Sequence, residues 1–183
     1  MNNNLIKVGI LGGSGFTGEE LLRILSNHPK TEVIAISSRD LLGQSASQIL
    51  EGSELTFVEP NNDLFYECEA IFFATPHGVS MDIVGSYLEK NIKIIDLSAD
   101  FRLKDINIGE ECYGSKHREE ELLSESVYGL TELNLNKIKS ARLIAVPGCY
   151  PTSSLLGVLK LLDYVLEIES IFIAAKTGIS GPG

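Results

Sequence analysis

The chain has 183 residues, a formal net charge of −10 and an ordinary globular composition, 44% hydrophobic and 22% charged. The negative excess argues against non-specific nucleic-acid binding, so an anionic ligand must find local positive features such as helix N-termini or single arginines. Apolar runs stop at about six residues against the ~20 that a membrane-spanning helix needs, and "MNNNLIKVGILGG" contains no signal-peptide pattern. These features predict a cytoplasmic protein with no nucleic-acid or membrane partner.

Residues 6–11, "IKVGIL", read as a first strand, ended by the glycine cluster 12–18. Residues 18–27 follow as a helix, with Leu21, Leu22 and Leu25 at helical spacing and His28-Pro29 closing it. "EVIAIS" (32–37) reads as a second strand and "LTFV" (55–58) as a weaker third. "AIFFAT" (70–75) is nearly all apolar, the pattern of a strand buried on both faces. A helix is expected over 79–90, a strand over 92–98, and then a polar, irregular region over 100–140. A sixth strand at 142–146, a helix at 153–164 and a seventh strand at 170–175 complete the pattern.

Strands alternating with helices predict a doubly wound Rossmann-type parallel sheet, an α/β fold covered on both faces. The last expected strand runs into "KTGISGPG", a glycine-rich loop with nothing to pack over it. That ending reads as the front part of a longer protein.

The cluster "GGSGFTG" fits G-x-G-x-x-G at Gly13, Gly15 and Gly18, and G-x-x-G-x-x-G at Gly12, Gly15 and Gly18. It follows a strand and opens a helix, the context that a dinucleotide-binding turn requires. Without side chains the backbone can touch a pyrophosphate, and the helix starting near Thr17 turns its free N–H groups toward it. A plain strand-to-helix turn is the alternative. The second strand ends in "SSRD": Ser37, Ser38 and Arg39 suit a 2′-phosphate and favour NADP(H), whereas Asp40 could bind a ribose hydroxyl and favour NAD.

Three cysteines, Cys68, Cys112 and Cys149, without a secretion signal point to reduced thiols. None pairs at metal-ligand spacing and the three histidines are scattered, so no metal site is expected. Cys68, beside "AIFF", reads as a buried structural thiol. Cys149 stands in "IAVPGCYPTSS", between a strand end at the carboxyl edge of the sheet and a helix expected to begin near 152–154. An inert loop thiol is one reading. A nucleophile is the other, because a helix N-terminus favours the thiolate and its N–H groups can hold an oxyanion. A thiolate beside a nicotinamide would convert an activated acyl group, through a thioester, to an aldehyde. No histidine is a clear general base: His28 is expected on the surface, His77 at the ligand-binding edge and His117 on the surface of the polar region.

The chain resembles the N-acetyl-γ-glutamyl-phosphate reductase family, relatives of aspartate-semialdehyde dehydrogenase. The resemblance rests on "GGSGFTGEEL" (12–21), "SSR" (37–39), "ATPHG" (74–78), "DLSADFRL" (96–103), "YG" and "H" within 113–117, "YGLTEL" (128–133) and "PGCYPT" (147–152). It implies an NADPH-dependent, aldehyde-forming oxidoreductase of arginine biosynthesis, acting on a small acyl phosphate. It implies Cys149 as the nucleophile that forms the thioacyl intermediate. Gly12, Gly13, Ser14, Gly15, Phe16, Thr17 and Gly18, with Ser38 and Arg39, would hold NADP(H), and Thr75, Pro76 and Ser98 would line the cofactor cleft. Residues 1–147 would form the NADP-binding domain, and 148–183 would begin an α+β catalytic domain. The usual acid/base histidine and most of the oligomer-forming part would lie beyond residue 183, so the full-length protein would be a homo-oligomer and this chain would turn over little by itself. The chain departs from the family at Val146, where an asparagine amide is usual, and at Thr131, where proline is usual and little effect is expected. An aspartate-semialdehyde dehydrogenase-like enzyme and a non-catalytic NADP-binding module are the alternative expectations.

Overall fold

In the computed structural model, which describes residues 5–114, 116–164 and 167–178, the first strand, β1, runs Ile6–Leu11. Val8 and Ile10 point to one face of the sheet and Leu11 to the other, as the two-residue period requires. Helix α1 (Phe16–Ser26) buries Leu22 and Leu25 against Val8, Ile10 and Ile36, and strand β2 (Thr31–Ser37) lies parallel to β1. Strands β3 (Phe57–Val58), β4 (Ala70–Phe73) and β5 (Lys93–Asp96) follow, with helix α2 (Ser80–Leu88) between the last two. Both faces of β4 are covered. Ile71 and Phe73 pack with Met81, Val84 and Tyr87 of α2, while Ala70 and Phe72 pack toward the α1 side.

Helices α3 (Ile106–Tyr113) and α4 (Glu120–Glu125), strand β6 (Val127–Tyr128), helix α5 (Thr131–Ser140) and strand β7 (Leu143–Ala145) complete the first of two units, Met1–Val146. The seven strands form one sheet in the order β3-β2-β1-β4-β5-β7-β6, and every ladder in it is parallel. This is the doubly wound Rossmann-type fold, with the chain reversing its winding direction between β1 and β4.

Two expectations are corrected. The region 100–140 is not irregular: it holds α3, α4, β6 and α5. Neither α3 nor α5 buries a residue, so no apolar stripe marks them in the sequence. Caps form α3 instead. The Asp105 carboxylate accepts from the N–H groups of Asn107 and Ile108, and Gly114 ends the helix at φ +70°. The Lys104 ammonium caps the C-terminal end of α4, reaching the carbonyls of Leu123, Ser124 and Ser126.

The seventh strand is β6, not 170–175. Residues 170–175 make no ladder among the described residues, and an apolar run without a pairing edge gains no strand hydrogen bonds. In the second unit, Pro147–Gly183, the described helix is α6 (Cys149–Leu162). The loop expected at 176–183 lies outside the described residues from position 179 onward.

Candidate active site

The carboxyl ends of β1, β2 and β4 open onto a cleft of about 520 Å³. It is lined by the glycine turn (Gly12, Ser14, Gly15), the end of β2 (Ser37 to Asp40) and the turn after β4 (Ala74, Thr75, Pro76, Val79). It therefore sits at the switch in strand order, where open α/β sheets bind their ligands.

The glycines divide into two kinds. Gly12 has φ +82°, and a Cβ there would stand 2.3 Å from the Ala74 carbonyl oxygen. A Cβ on Gly13 would meet Ile36 Cγ1 at 2.2 Å, and one on Gly18 would meet the Gly12 carbonyl oxygen at 2.2 Å. These three let the turn, α1 and the sheet touch. At Gly15 the nearest atom to a Cβ would be 4.0 Å away, so nothing in the protein requires a bare backbone there. Gly15 is the N-cap of α1, and the first N–H groups of a helix have no intrahelical acceptor.

The turn is tied to β2. The Gly13 N–H donates to the Ser37 carbonyl at 2.7 Å, the Gly12 N–H donates to the Ser37 hydroxyl at 3.2 Å, and the Ser14 and Ser38 hydroxyls share a 2.7 Å bond. Ser38 is buried and also accepts from the Leu41 N–H, so it shapes the rim. Arg39 is exposed at that rim and makes no ion pair among the described residues. Asp40 lines the cleft beside it.

Two observations fit the cleft to a dinucleotide. Gly15 leaves open backbone at a helix N-terminus, the place for a pyrophosphate. The Thr75 hydroxyl, on a residue that lines the cleft, is buried without a hydrogen-bond partner among the described residues. Such a group is costly unless a ligand or water satisfies it.

The other expected cleft residues lie elsewhere. Phe16 is 70% exposed and stands with Thr17 in the first turn of α1, outside the lining; Gly13 and Gly18 are buried beneath the turn. Ser98 is turned inward and does not line the cleft. Its hydroxyl is buried and donates to Asp96 Oδ2 at 2.8 Å. Asp96, Ser80 and Asp100 join it in a polar cluster behind the turn after β4, which sequence reasoning missed. Burial pushes the Asp96 carboxyl up to about 6, against the hydrogen bonds from Ser98 and Ser80 that favour its charge. The signal for Asp96 was a carboxylate ending an apolar run, "IKIID". The pairing of Ser80 with Asp100 has no sequence signature.

None of the histidines lines the cleft. His28 is exposed. His77 is exposed, its Nδ1 accepting from the Ala99 N–H at 2.9 Å and its ring 5.7 Å from that of Tyr113. His117 is half-buried rather than fully exposed as expected. Its ring packs edge-on to Phe101 at 5.2 Å, its Nδ1 accepts from the Glu119 N–H, and its Nε2 is buried with no partner. Arg102 braces the strand ends, donating to the carbonyls of Leu97 and Val146 at 2.7 and 2.8 Å.

In the second unit, helix α6 begins at Cys149 itself, three to five residues before the expected start near 152–154. Gly148 is its N-cap, and its carbonyl accepts from both the N–H and the hydroxyl of Thr152 at 2.9 and 2.8 Å. Pro151 has no N–H to satisfy, which suits the first turn. The exposed thiol of Cys149 is therefore carried on the first residue of a 14-residue helix. Cys112 is also exposed and Cys68 is buried; all three thiols are free.

Residues 7–141 match the family described as semialdehyde dehydrogenase, NAD binding domain. The chain is 48% identical to a Saccharophagus degradans protein and 51% identical to a Nitrosococcus oceani protein, both named N-acetyl-gamma-glutamyl-phosphate reductase. It is covered to 98% in both alignments but spans about half of each relative, 53% and 54%. Among solved structures, an aspartate semialdehyde dehydrogenase II from Vibrio cholerae matches with a TM-score of 0.66 at 17% identity over 88% of this chain and 47% of that one. The Candida albicans aspartate semialdehyde dehydrogenase with NADP matches at 0.61 and 18%, over 87% and 47%. With the match spanning most of the first unit and the cleft at the switch point of its sheet, the chain belongs to the semialdehyde dehydrogenase NAD-binding family.

Proposed function

We propose that the chain is the cofactor-binding part of an NADPH-dependent N-acetyl-γ-glutamyl-phosphate reductase and carries its nucleophile, Cys149. The observation that carries this reading is an exposed thiol on the first residue of α6, in a chain whose 48–51% identical relatives bear that reductase name. The likeness to aspartate-semialdehyde dehydrogenase structures, at 16–19% identity, speaks for the fold alone.

NADP(H) is the favoured dinucleotide because Arg39, with no acidic partner among the described residues, offers a guanidinium fork at the rim where a 2′-phosphate would lie. The open N–H groups around Gly15 and the first turn of α1 take the pyrophosphate, and the Thr75 hydroxyl gains the partner it lacks. The N–H groups at the start of α6 can hold the negative charge that develops on an attacked carbonyl oxygen. The sulfur of Cys149 adds to the acyl carbon, the carbon–oxygen bond to phosphate breaks, and the acyl group remains as a thioester. A bound dinucleotide would supply hydride to that carbon, so that the carbon–sulfur bond breaks, an aldehyde leaves and the Cys149 thiolate is freed.

The three thiols provide an internal control. Iodoacetamide at mildly acidic pH should label Cys149 well before Cys112, although both are exposed. Cys68 should stay unlabelled in the folded chain, since burial, with Glu67 adding to it, pushes that thiol up to about 12. Peptide mass mapping reads all three sites. Equal labelling of Cys149 and Cys112, with no response to NADPH in a fluorescence titration, would refute the reductase reading.

A further inference from the structure

Behind the turn that floors the cofactor cleft, one hydroxyl faces two carboxylates. The Ser80 oxygen lies 3.0 Å from Asp96 Oδ2, 2.8 Å from Asp100 Oδ2 and 2.9 Å from the Ser98 oxygen. The Ser98 hydroxyl also lies 2.8 Å from Asp96 Oδ2. A hydroxyl carries one proton. With both carboxyls ionised, Ser80 can donate to only one of them. The other contact then becomes an unbridged approach of oxygen to a buried carboxylate oxygen.

We infer that at mildly acidic pH Asp96 holds a proton in the folded chain and donates it to Ser80, so that Ser80 donates to Asp100 and the relay Asp96–Ser80–Asp100 positions the turn after β4. With that third proton, each carboxylate contact of Ser80 has a hydrogen in it, and Ser98 still donates to Asp96.

Local geometry places the proton on Asp96. Asp100 accepts from the Gly78 N–H at 2.7 Å and from the Met81 N–H at 3.1 Å, at the start of α2, where a helix favours negative charge. Asp96 accepts from one backbone N–H, that of Ser98 at 3.0 Å, and is fully buried. Its ladder neighbours, Phe73 on β4 and Ala145 on β7, are apolar. From α2 it faces Ser80, and from the following loop Ser98 and Asp100. His77 bonds to Ala99 and the Arg102 guanidinium to Leu97 and Val146, so among the described residues neither supplies Asp96 with a cation by hydrogen bond. Burial acts in the same direction, raising the Asp96 carboxyl.

Asp100 grips the turn that carries Thr75, Pro76 and Val79 into the cleft. Ionising Asp96 would make it compete for the Ser80 proton and loosen that grip. This consequence for the cleft rests on the cofactor reading above; the proton itself does not.

The first test uses the unsubstituted chain with 13C-labelled aspartate, resonances being assigned through D96N and D100N. The Asp96 carboxyl should titrate at about 6, against the usual range around 3.5. A midpoint in that usual range would overturn the inference. The second test uses Asp96→Asn, whose amide donates to Ser80 at every pH. An acid raised by folding stabilises the folded chain below its unfolded pKa and loses that contribution as pH rises through the folded value. The unfolding constant of the unsubstituted chain, relative to D96N, should therefore rise about 10-fold between about pH 5 and pH 8. A flat ratio would overturn the inference. NADP⁺ affinity, as the same ratio, should weaken toward high pH. Failure of both proteins to bind NADP⁺ would remove the cofactor reading and leave the proton assignment to the NMR titration.

Discussion

Gly15 and Gly18 stand three residues apart in one motif, yet alanine at the two positions should do different things. At Gly18 the new methyl would lie 2.2 Å from the Gly12 carbonyl oxygen and 2.6 Å from Gly13 Cα. That is about 1.2 Å inside the distance at which ordinary contact begins, and the opposing atoms are backbone. The turn or α1 must move, at about 1–3 kcal/mol and toward the upper end, because no side chain can swing away. At Gly15 the nearest atom is 4.0 Å away and φ is −86°, so alanine enters without strain. It loses only part of the N-cap preference for glycine, about 1 kcal/mol or less. Thermal melts should show Gly15→Ala within about 4 °C of the parent and Gly18→Ala lower by several degrees. NADPH titration should then show Gly15→Ala weakened at least ~10-fold, because its methyl occupies the space a pyrophosphate needs against the backbone. A Gly15→Ala chain that melts and binds like the parent would refute the placement of the pyrophosphate at this turn.

Replacing Arg39 with alanine should weaken NADPH by roughly 10- to 150-fold, the worth of about 1.5–3 kcal/mol for hydrogen bonds to a charged group, and leave NADH almost unchanged. Fluorescence titration with both cofactors checks the difference; an equal loss for both would assign Arg39 a role unrelated to the 2′-phosphate. Thr131→Pro should be neutral or stabilising by about 0.4–1 kcal/mol in a denaturant melt. Thr131 is the first residue of α5, and Leu130 before it is extended at φ −76°, ψ 100°, the conformation that proline demands of its predecessor.

Strands β1 to β5 and β7 were legible because each lies in an apolar run, and the order of runs and helices dictates a parallel sheet; β6, two residues long, was not. The glycine turn was legible because its position between strand and helix restricts what can stand there. Cys149 was legible as a residue set at a turn, but not as the first residue of its helix: "PGCYP" holds two prolines, and only the folded backbone shows α6 passing through the second. Sequence by itself also could not sort the motif glycines, since Gly15 and Gly18 look alike until Gly12 and Gly13 are seen lying against one of them.

Residues 100–140 were misread because α3 and α5 bury nothing, so their existence depends on caps and on the strands they connect, not on an apolar period. Residues 170–175 were misread for the complementary reason: apolar, strand-favouring composition is a local property, whereas a strand is a pairing, and pairing needs a free edge. The acid pair Asp96 and Asp100, with Ser80 between them, belongs wholly to the tertiary structure. Sequence set a carboxylate at the end of a buried strand; only the packing of α2 against β5 brought a single hydroxyl between two carboxyl groups.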